Sequence, residues 1–382
     1  MKKGRISAAR KALAIAVAIG SALLCAWPMN SAASASSSQD QRLGGRARPV
    51  ITLQWPQFFG AGNEKSRDSA PRVLIPGGQA IGVAIRTQGV LVVGAGDNGR
   101  DSLREGDMIL SVNGVPLLES AMLTEAVNAA QGQPLSLRIS RGGQESDLLL
   151  TPRYDESSRA WRLGVWVRDS TAGVGTLTYY DPATGAYGAL GHAITDSDTG
   201  SLLPVRKGAL MQAEIVDVRR GQRGAPGELR GSFLREQVTL GTVLVNTVFG
   251  IYGHLDAPTA SALYPEGLPT ASRGQVHTGA ATILSTIAGQ EACEYAIEIT
   301  QVSRQSAAAP KSMVLRVTDE RLLSSTGGIV QGMSGSPILQ DGRIIGAVTH
   351  VFVSDPTQGY GVFIDWMLQQ SDALSAQQSE AA

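Results

Sequence analysis

Through most of its length the chain alternates short apolar runs with turns rich in Gly, Pro, Asp and Asn, the pattern of strands joined by tight connections. Ile81-Gly82-Val83-Ala84-Ile85 and Gly89-Val90-Leu91-Val92-Val93 read as strands. A third apolar strand ends at Asn113-Gly114, a dipeptide that makes tight turns. Ala121 to Ala130 sets Met122, Ala126, Val127 and Ala130 on one face and predicts a short helix. Leu135 to Ser140 and Asp147 to Thr151 add two more strands. From about Trp161 to Met367 strand patterns dominate: Leu163 to Val167, Gly173 to Tyr180, Ala209 to Val218, Thr242 to Tyr252, Gly279 to Ile287, Tyr295 to Val302 and Met313 to Val317. The expectation is a mainly β chain, with a small β-domain at residues 71–155 and a β-barrel or paired barrels at 156–370. Residues 371–382 read as a polar tail.

The first 70 residues break this pattern. Lys2, Lys3, Arg5, Arg10 and Lys11 form a basic front, and Ala12 to Trp27 is an uncharged apolar run of 16 residues. That is short of the ~20 residues of a spanning helix, and Ala33-Ser34-Ala35 offers a cleavage site. Residues 1–30 are therefore expected to be an export signal, cleaved or retained as an anchor, which predicts work outside the cytoplasm. Residues 31–70, rich in Ser, Ala, Gln, Gly and Arg, read as a tether, interrupted by Ile51 to Trp55 and by Phe58-Phe59.

Composition narrows the classes. A chain of 382 residues is too long for one ordinary core. Its 33 basic and 33 acidic residues give no net charge, so nothing supports nucleic-acid binding. Cys25 and Cys293 make neither a disulfide framework nor a zinc spacing, and the histidines lack paired metal-ligand spacing. No metal or cofactor is expected.

The stretch most suggestive of chemistry is Val330-Gln331-Gly332-Met333-Ser334-Gly335-Ser336-Pro337-Ile338-Leu339. Glycines on both sides of Ser334 free the backbone to expose its hydroxyl. The amides of Gly332 and Ser334 could together hold an oxyanion. Taken alone, the loop reads as well as a surface turn. A serine needs a base to become a nucleophile. Of His192, His254, His277 and His350, His192 has the best context, at a strand end among small residues in Leu190-Gly191-His192-Ala193. The base needs an acid. Asp196, Asp198, Asp319, Asp341, Asp355 and Asp365 are candidates, with Asp319 at a strand end and Asp196 and Asp198 close to His192 but suited to capping a turn.

Two resemblances follow. Leu103-Arg-Glu-Gly-Asp-Met-Ile-Leu-Ser-Val-Asn-Gly and the loop Gly77-Gly78-Gln79-Ala80-Ile81-Gly82-Val83 resemble a PDZ domain. That likeness implies a groove for an extended peptide, with the amides of Ala80, Ile81 and Gly82 receiving a terminal carboxylate. Leu190 to Asp196, Thr326 to Leu339 and Ile345 to Val362 resemble the stage IV sporulation protein B family of signalling serine peptidases, in the chymotrypsin-like clan. The family implies Ser334 as nucleophile, His192 as general base and Asp319 as orienting acid on a double β-barrel. It further implies cleavage of a protein in a membrane complex between two membranes, release of an intramembrane protease, and self-cleavage near the N-terminus. Two other readings stand beside it: a catalytically inactive PDZ scaffold docking on a membrane complex, and a periplasmic quality-control protease, a group in which the protease domain normally precedes the PDZ domain.

Overall fold

A computed structural model describes residues 71–96, 103–232, 239–258 and 261–381. The expected export segment and tether lie outside these residues. The chain enters through β1 (Val73–Pro76) and β2 (Ala80–Ala95), a strand of 16 residues. β2 is two strands in one. Its register with its partner slips between Arg86 and Leu91. Gly89, at φ +94°, passes so close to Ile109 that a Cβ would lie 2.5 Å from the Ile109 carbonyl oxygen, so only glycine fits the bend.

Beyond the bend comes a unit built from β3 (Met108–Val112), β4 (Val115–Pro116), α1 (Ser120–Ala129), β5 (Leu135–Arg141), β6 (Gln144–Leu150) and the hairpin β7 (Arg153–Asp155) with β8 (Ala160–Arg162). The chain returns along β9 (Val165–Tyr180), antiparallel to both halves of β2. Val90, Val92, Ile109, Leu123, Val127, Leu137 and Ile139 form the core of this unit, with Trp161 packed against them.

The other halves of β2 and β9 belong to a barrel. It continues through β10 (Ala186–Ala189) and β11 (Val205–Gln212), passes the outlying hairpin β12 (Glu214–Arg219) and β13 (Glu228–Ser232), and ends in β14 (Thr239–Thr247) and β15 (Gly250–Leu255). The pairings run β2 to β9, β10, β15, β14, β11 and back to β2, which closes a six-stranded ring. Ile81, Val83, Ile85, Leu177, Tyr187, Leu210 and Ile251 fill it.

β16 (Leu268–Pro269) pairs with β1 and leads into a second barrel. Its elements in chain order are β17 (Gly279–Ser285), β18 (Cys293–Val302), β19 (Met313–Val317), α2 (Glu320–Thr326), β20 (Pro337–Gln340), β21 (Arg343–Phe352) and β22 (Asp355–Phe363). The strands close in the order β17-β18-β19-β22-β21-β20. Helix α3 (Ile364–Ala381) packs on β10 and β15 of the first barrel and on β21 and β22 of the second.

The fold is mainly β with two barrels, as the strand pattern predicts, and holds a small unit of strands and one helix of the kind that the PDZ resemblance implies, but three expectations change. β1 pairs with β9 beside the first barrel and residues 80–86 are a strand of it, so the small inserted unit spans about residues 88–168 rather than forming a preceding domain at 71–155. Ala80, Ile81 and Gly82 do not form a carboxylate-binding loop. They pair with Thr176, Gly175 and Val174 on one side, and Gly82 and Ile81 with Met211 and Gln212 on the other. An apolar alternation reads the same wherever a strand sits, and only the long-range pairing reveals the domain. The polar tail is the continuation of α3, with Ser371 buried.

Candidate active site

Ser334 lies where the two barrels meet. From the first barrel, Thr176 on β9 donates its amide to the Ser334 carbonyl at 2.9 Å and its hydroxyl to the Gly332 carbonyl at 2.8 Å. From the second, Gly335 N donates to Val348 O at 2.8 Å and Val348 N to Ser336 O at 2.9 Å. Gly335, at φ +97°, closes against β9 so tightly that a Cβ would lie 2.1 Å from the Thr176 carbonyl oxygen. The Gly-Met-Ser-Gly-Ser stretch thus serves a close approach between barrels as well as an exposed hydroxyl.

His192 follows β10 on a turn with left-handed backbone at Leu190 (φ 70°) and Gly191 (φ 68°). A Cβ on Gly191 would sit 3.1 Å from Thr349 Cγ2 and 3.3 Å from Val348 O. The His192 turn therefore rests on the part of β21 that also receives the Ser334 hydroxyl, which donates to Thr349 O at 2.9 Å. The fold brings the turn that carries His192 and the loop that carries Ser334 to one stretch of β21 from different barrels, with the Ser334 hydroxyl bonded to the Thr349 carbonyl.

The imidazole is held in a usable tautomer. His192 Nδ1 lies 2.7 Å from the Ala193 carbonyl oxygen, which can only accept, so Nδ1 carries the proton and Nε2 keeps its lone pair in the neutral ring. Burial pushes the His192 pKa below its ordinary 6.5, which keeps the base neutral at pH 7. Neither the Gly332 nor the Ser334 amide donates to an acceptor among the described residues, so both are available to a ligand oxygen.

Asp319 is placed elsewhere. It caps α2, accepting the Arg321 amide at 2.9 Å and the Leu322 amide at 3.3 Å. Its other oxygen takes Ala296 N at 3.2 Å and Arg321 Nη2 at 2.8 Å. The Arg321 guanidinium is the chief cause of its pKa falling to about 2. All of its partners lie on β18 and α2, and none on the His192 turn. A strand-end aspartate reads alike as cap and as acid, and here the helix amides two and three residues on claim it. Asp196, the nearer candidate, is buried in the loop after His192, where it binds Asp198 N and Thr199 N at 3.0 Å.

Two further residues stand at the site: His350, which reads from the sequence as one of four candidate bases, and Asn246, which has no sequence signal. The His350 ring on β21 lies 4.9 Å from that of His192. Loss of solvation among its neighbours first, then the charges of His192 and Lys311, lower its pKa, although the residue as a whole is exposed. Asn246 on β14 is buried and clamps the loop after His192. It accepts Ile194 N at 2.9 Å and donates to Ile194 O at 2.7 Å and Leu203 O at 3.0 Å.

Among solved structures, the PDZ domain of an SdrC-like protein from Listeria monocytogenes aligns at 17% identity over 21% of this chain and 87% of its own, with a TM-score of 0.20. The active form of the Rv3671c protease from M. tuberculosis aligns at 15% identity over 52% of this chain and 73% of its own, with a TM-score of 0.28. Its inactive serine-to-alanine mutant aligns at 14% over 52% and 82%, with a TM-score of 0.27. No curated protein matches. The family described as SpoIVB peptidase S55 matches residues 159–368, more than half of the chain and every residue of the His192 and Ser334 loops, and the protein belongs to this family of serine peptidases.

Proposed function

We propose that the protein is an exported serine endopeptidase that cuts an extended segment of a membrane-associated regulatory protein, and in doing so acts as a trigger rather than a scavenger. The observation that carries the reading is that the His192 turn, through Gly191, and the Ser334 hydroxyl both meet β21 at Thr349, while the amides of Gly332 and Ser334 have no acceptor among the described residues. Beyond Val348, whose amide and carbonyl bond Ser336 and Gly335, β21 has no strand on its β20 side among the described residues. A substrate strand can add to that open edge and bring its scissile carbonyl to Ser334. His192 Nε2 takes the hydroxyl proton as Oγ attacks, and the amides of Gly332 and Ser334 hold the oxyanion. The imidazolium then protonates the departing amine, and water repeats the sequence on the acyl-enzyme.

A peptide-docking role for the inserted unit remains part of the reading, at a different place from the loop named in the sequence. The first half of β9 pairs with β2 on one edge only and lies beside α1, which leaves its other edge open for an added strand. An insertion inside the first barrel, rather than a domain appended after the protease, favours regulated cleavage over quality control. The N-terminal segment would keep the protein at an extracytoplasmic membrane surface, and membership of the family supports a role in sporulation signalling with self-cleavage.

The test is cleavage of a membrane-regulator fragment by purified protein. Ser334→Ala should lower turnover by ~10⁶ without changing thermal unfolding. Turnover by Ser334→Ala within a few fold of wild type would leave the scaffold reading.

A further inference from the structure

We infer that Arg168 is a positioning residue for the peptidase, fixing the loop that carries His192 from a strand of the inserted unit; this rests on His192 being the base. Arg168 stands opposite Leu91, in the half of β9 that pairs with the inserted half of β2. Its guanidinium reaches out of that unit. One nitrogen donates to Asp196 Oδ2 and the other to Asp198 Oδ2 at 2.8 Å. Asp196 is 2% exposed. Its second oxygen accepts the amides of Asp198 and Thr199 at 3.0 Å and the Thr199 hydroxyl at 3.2 Å. A buried carboxylate thus organises the turn four residues past His192, and Arg168 is the cation that neutralises it.

The turn is tied back to His192 in two steps. Asp196 N donates to Ser201 O at 2.9 Å and Leu203 N to Ile194 O at 3.2 Å, which closes the loop on itself. Asn246 then fixes Ile194, two residues from His192. Without Arg168 the buried anion keeps only backbone and hydroxyl donors, and the loop can lower that cost by opening toward water, which moves His192 away from Ser334.

The placement of Arg168 also gives the insertion a route to the active site. Its neighbour Asp169 accepts the Ser120 amide at the start of α1 at 2.6 Å. The preceding residues Val165 to Val167 carry the open edge beside α1. One strand therefore holds α1, the docking edge and the His192 loop through adjacent residues. A ligand that adds to the edge or shifts α1 acts on β9 next to Arg168.

The experiment compares wild type, Arg168→Ala, Arg168→Lys, Asp196→Asn and the double variant Arg168→Ala/Asp196→Asn. Arg138→Ala, which removes an exposed pair with Glu145 inside the insertion, is the control. The readouts are kcat and KM on a peptide substrate, the rate of Ser334 phosphonylation by a fluorophosphonate, and the melting temperature. Arg168→Ala should lower kcat and phosphonylation by roughly tenfold to a hundredfold, the cost of a misplacement of about 1 Å, with KM within about twofold because it spares the open edge of β21. Arg168→Lys should recover part of the loss. The double variant should be no worse than the poorer single variant, because the two residues act through one contact. Arg168→Ala and Arg168→Lys both within threefold of wild type would overturn the role, as would losses that multiply in the double variant. If Arg168→Ala does not fold, the Lys variant and Asp196→Asn carry the decision. A wild type that fails to react with the phosphonate would overturn the peptidase reading itself, a different result from a reactive wild type matched by Arg168→Ala.

Discussion

Asn246 gives the sharpest test of how the His192 loop is held, because an almost isosteric change should do more harm than a truncation. Its amide makes three hydrogen bonds to Ile194 and Leu203, at 2.7 to 3.0 Å, and the residue is 6% exposed. Asn246→Ala removes all three, at about 1 kcal/mol each, for a loss of about 3 kcal/mol, less whatever water entering the gap restores. Asn246→Asp keeps the acceptor for Ile194 N but turns a donor into an anion facing two carbonyl oxygens. It loses two bonds and adds charge repulsion in a buried site, so the loss should reach about 3–5 kcal/mol at pH 7. Protonating the new carboxyl restores one donor, so its deficit relative to Asn246→Ala should shrink as pH falls. The assay is urea unfolding of the three proteins at pH 7 and pH 5, with kcat measured in parallel. Asn246→Asp that costs less than about 1 kcal/mol and retains full kcat would refute the claim that this amide clamps the loop.

Other consequences follow from the same site. Asp319→Asn should leave kcat within a few fold and keep the α2 cap, since an Asn oxygen still accepts the helix amides, but it replaces the oxygen that accepts Ala296 N and Arg321 Nη2 with a donor, at about 1 kcal/mol of stability at pH 7. Because the folded Asp319 pKa is depressed to about 2, its stabilisation is present above the unfolded value and disappears as pH falls through that window. The gap in unfolding free energy between wild type and Asp319→Asn should therefore close between about pH 4 and pH 2. A kcat loss of orders of magnitude in Asp319→Asn would instead restore it as the acid. The acid limb of kcat/KM should lie below pH 6.5, since burial lowers the His192 pKa; a limb above pH 7 would mean that a nearby anion controls the base.

Legibility in the sequence divides along physical lines. Strand runs were readable because alternation is local, but their continuity was not. Leu163 to Val167 and Gly173 to Tyr180 are one strand, β9, and Thr242 to Tyr252 is the hairpin of β14 and β15. Whether a run stops depends on pairing with β2, far away in sequence. The same gap hid the insertion, since the Ala80 to Gly82 strand looks alike in either domain. The tight backbone of the Ser334 loop is readable because the flanking glycines report crowding, and the left-handed φ of Gly332 and Gly335 accounts for both. His192 was readable from its setting among small residues, where Gly191 lies against Thr349. Asp319 was read as an acid because its cap role depends on α2 forming directly after it. Asn246 carries no motif, and neither its role nor the stacking of His350 beside His192 is legible without the three-dimensional contacts of β14 and β21.

The central claim is that Ser334 is a nucleophile activated by His192. Its most direct measurement is mass-spectrometric mapping of the adduct formed when the intact protein meets a fluorophosphonate, with His192→Ala alongside. The account predicts a single adduct on the peptide containing Ser334, slowed by orders of magnitude in His192→Ala. No adduct in the folded wild type, or an adduct on another serine that survives Ser334→Ala, would contradict it.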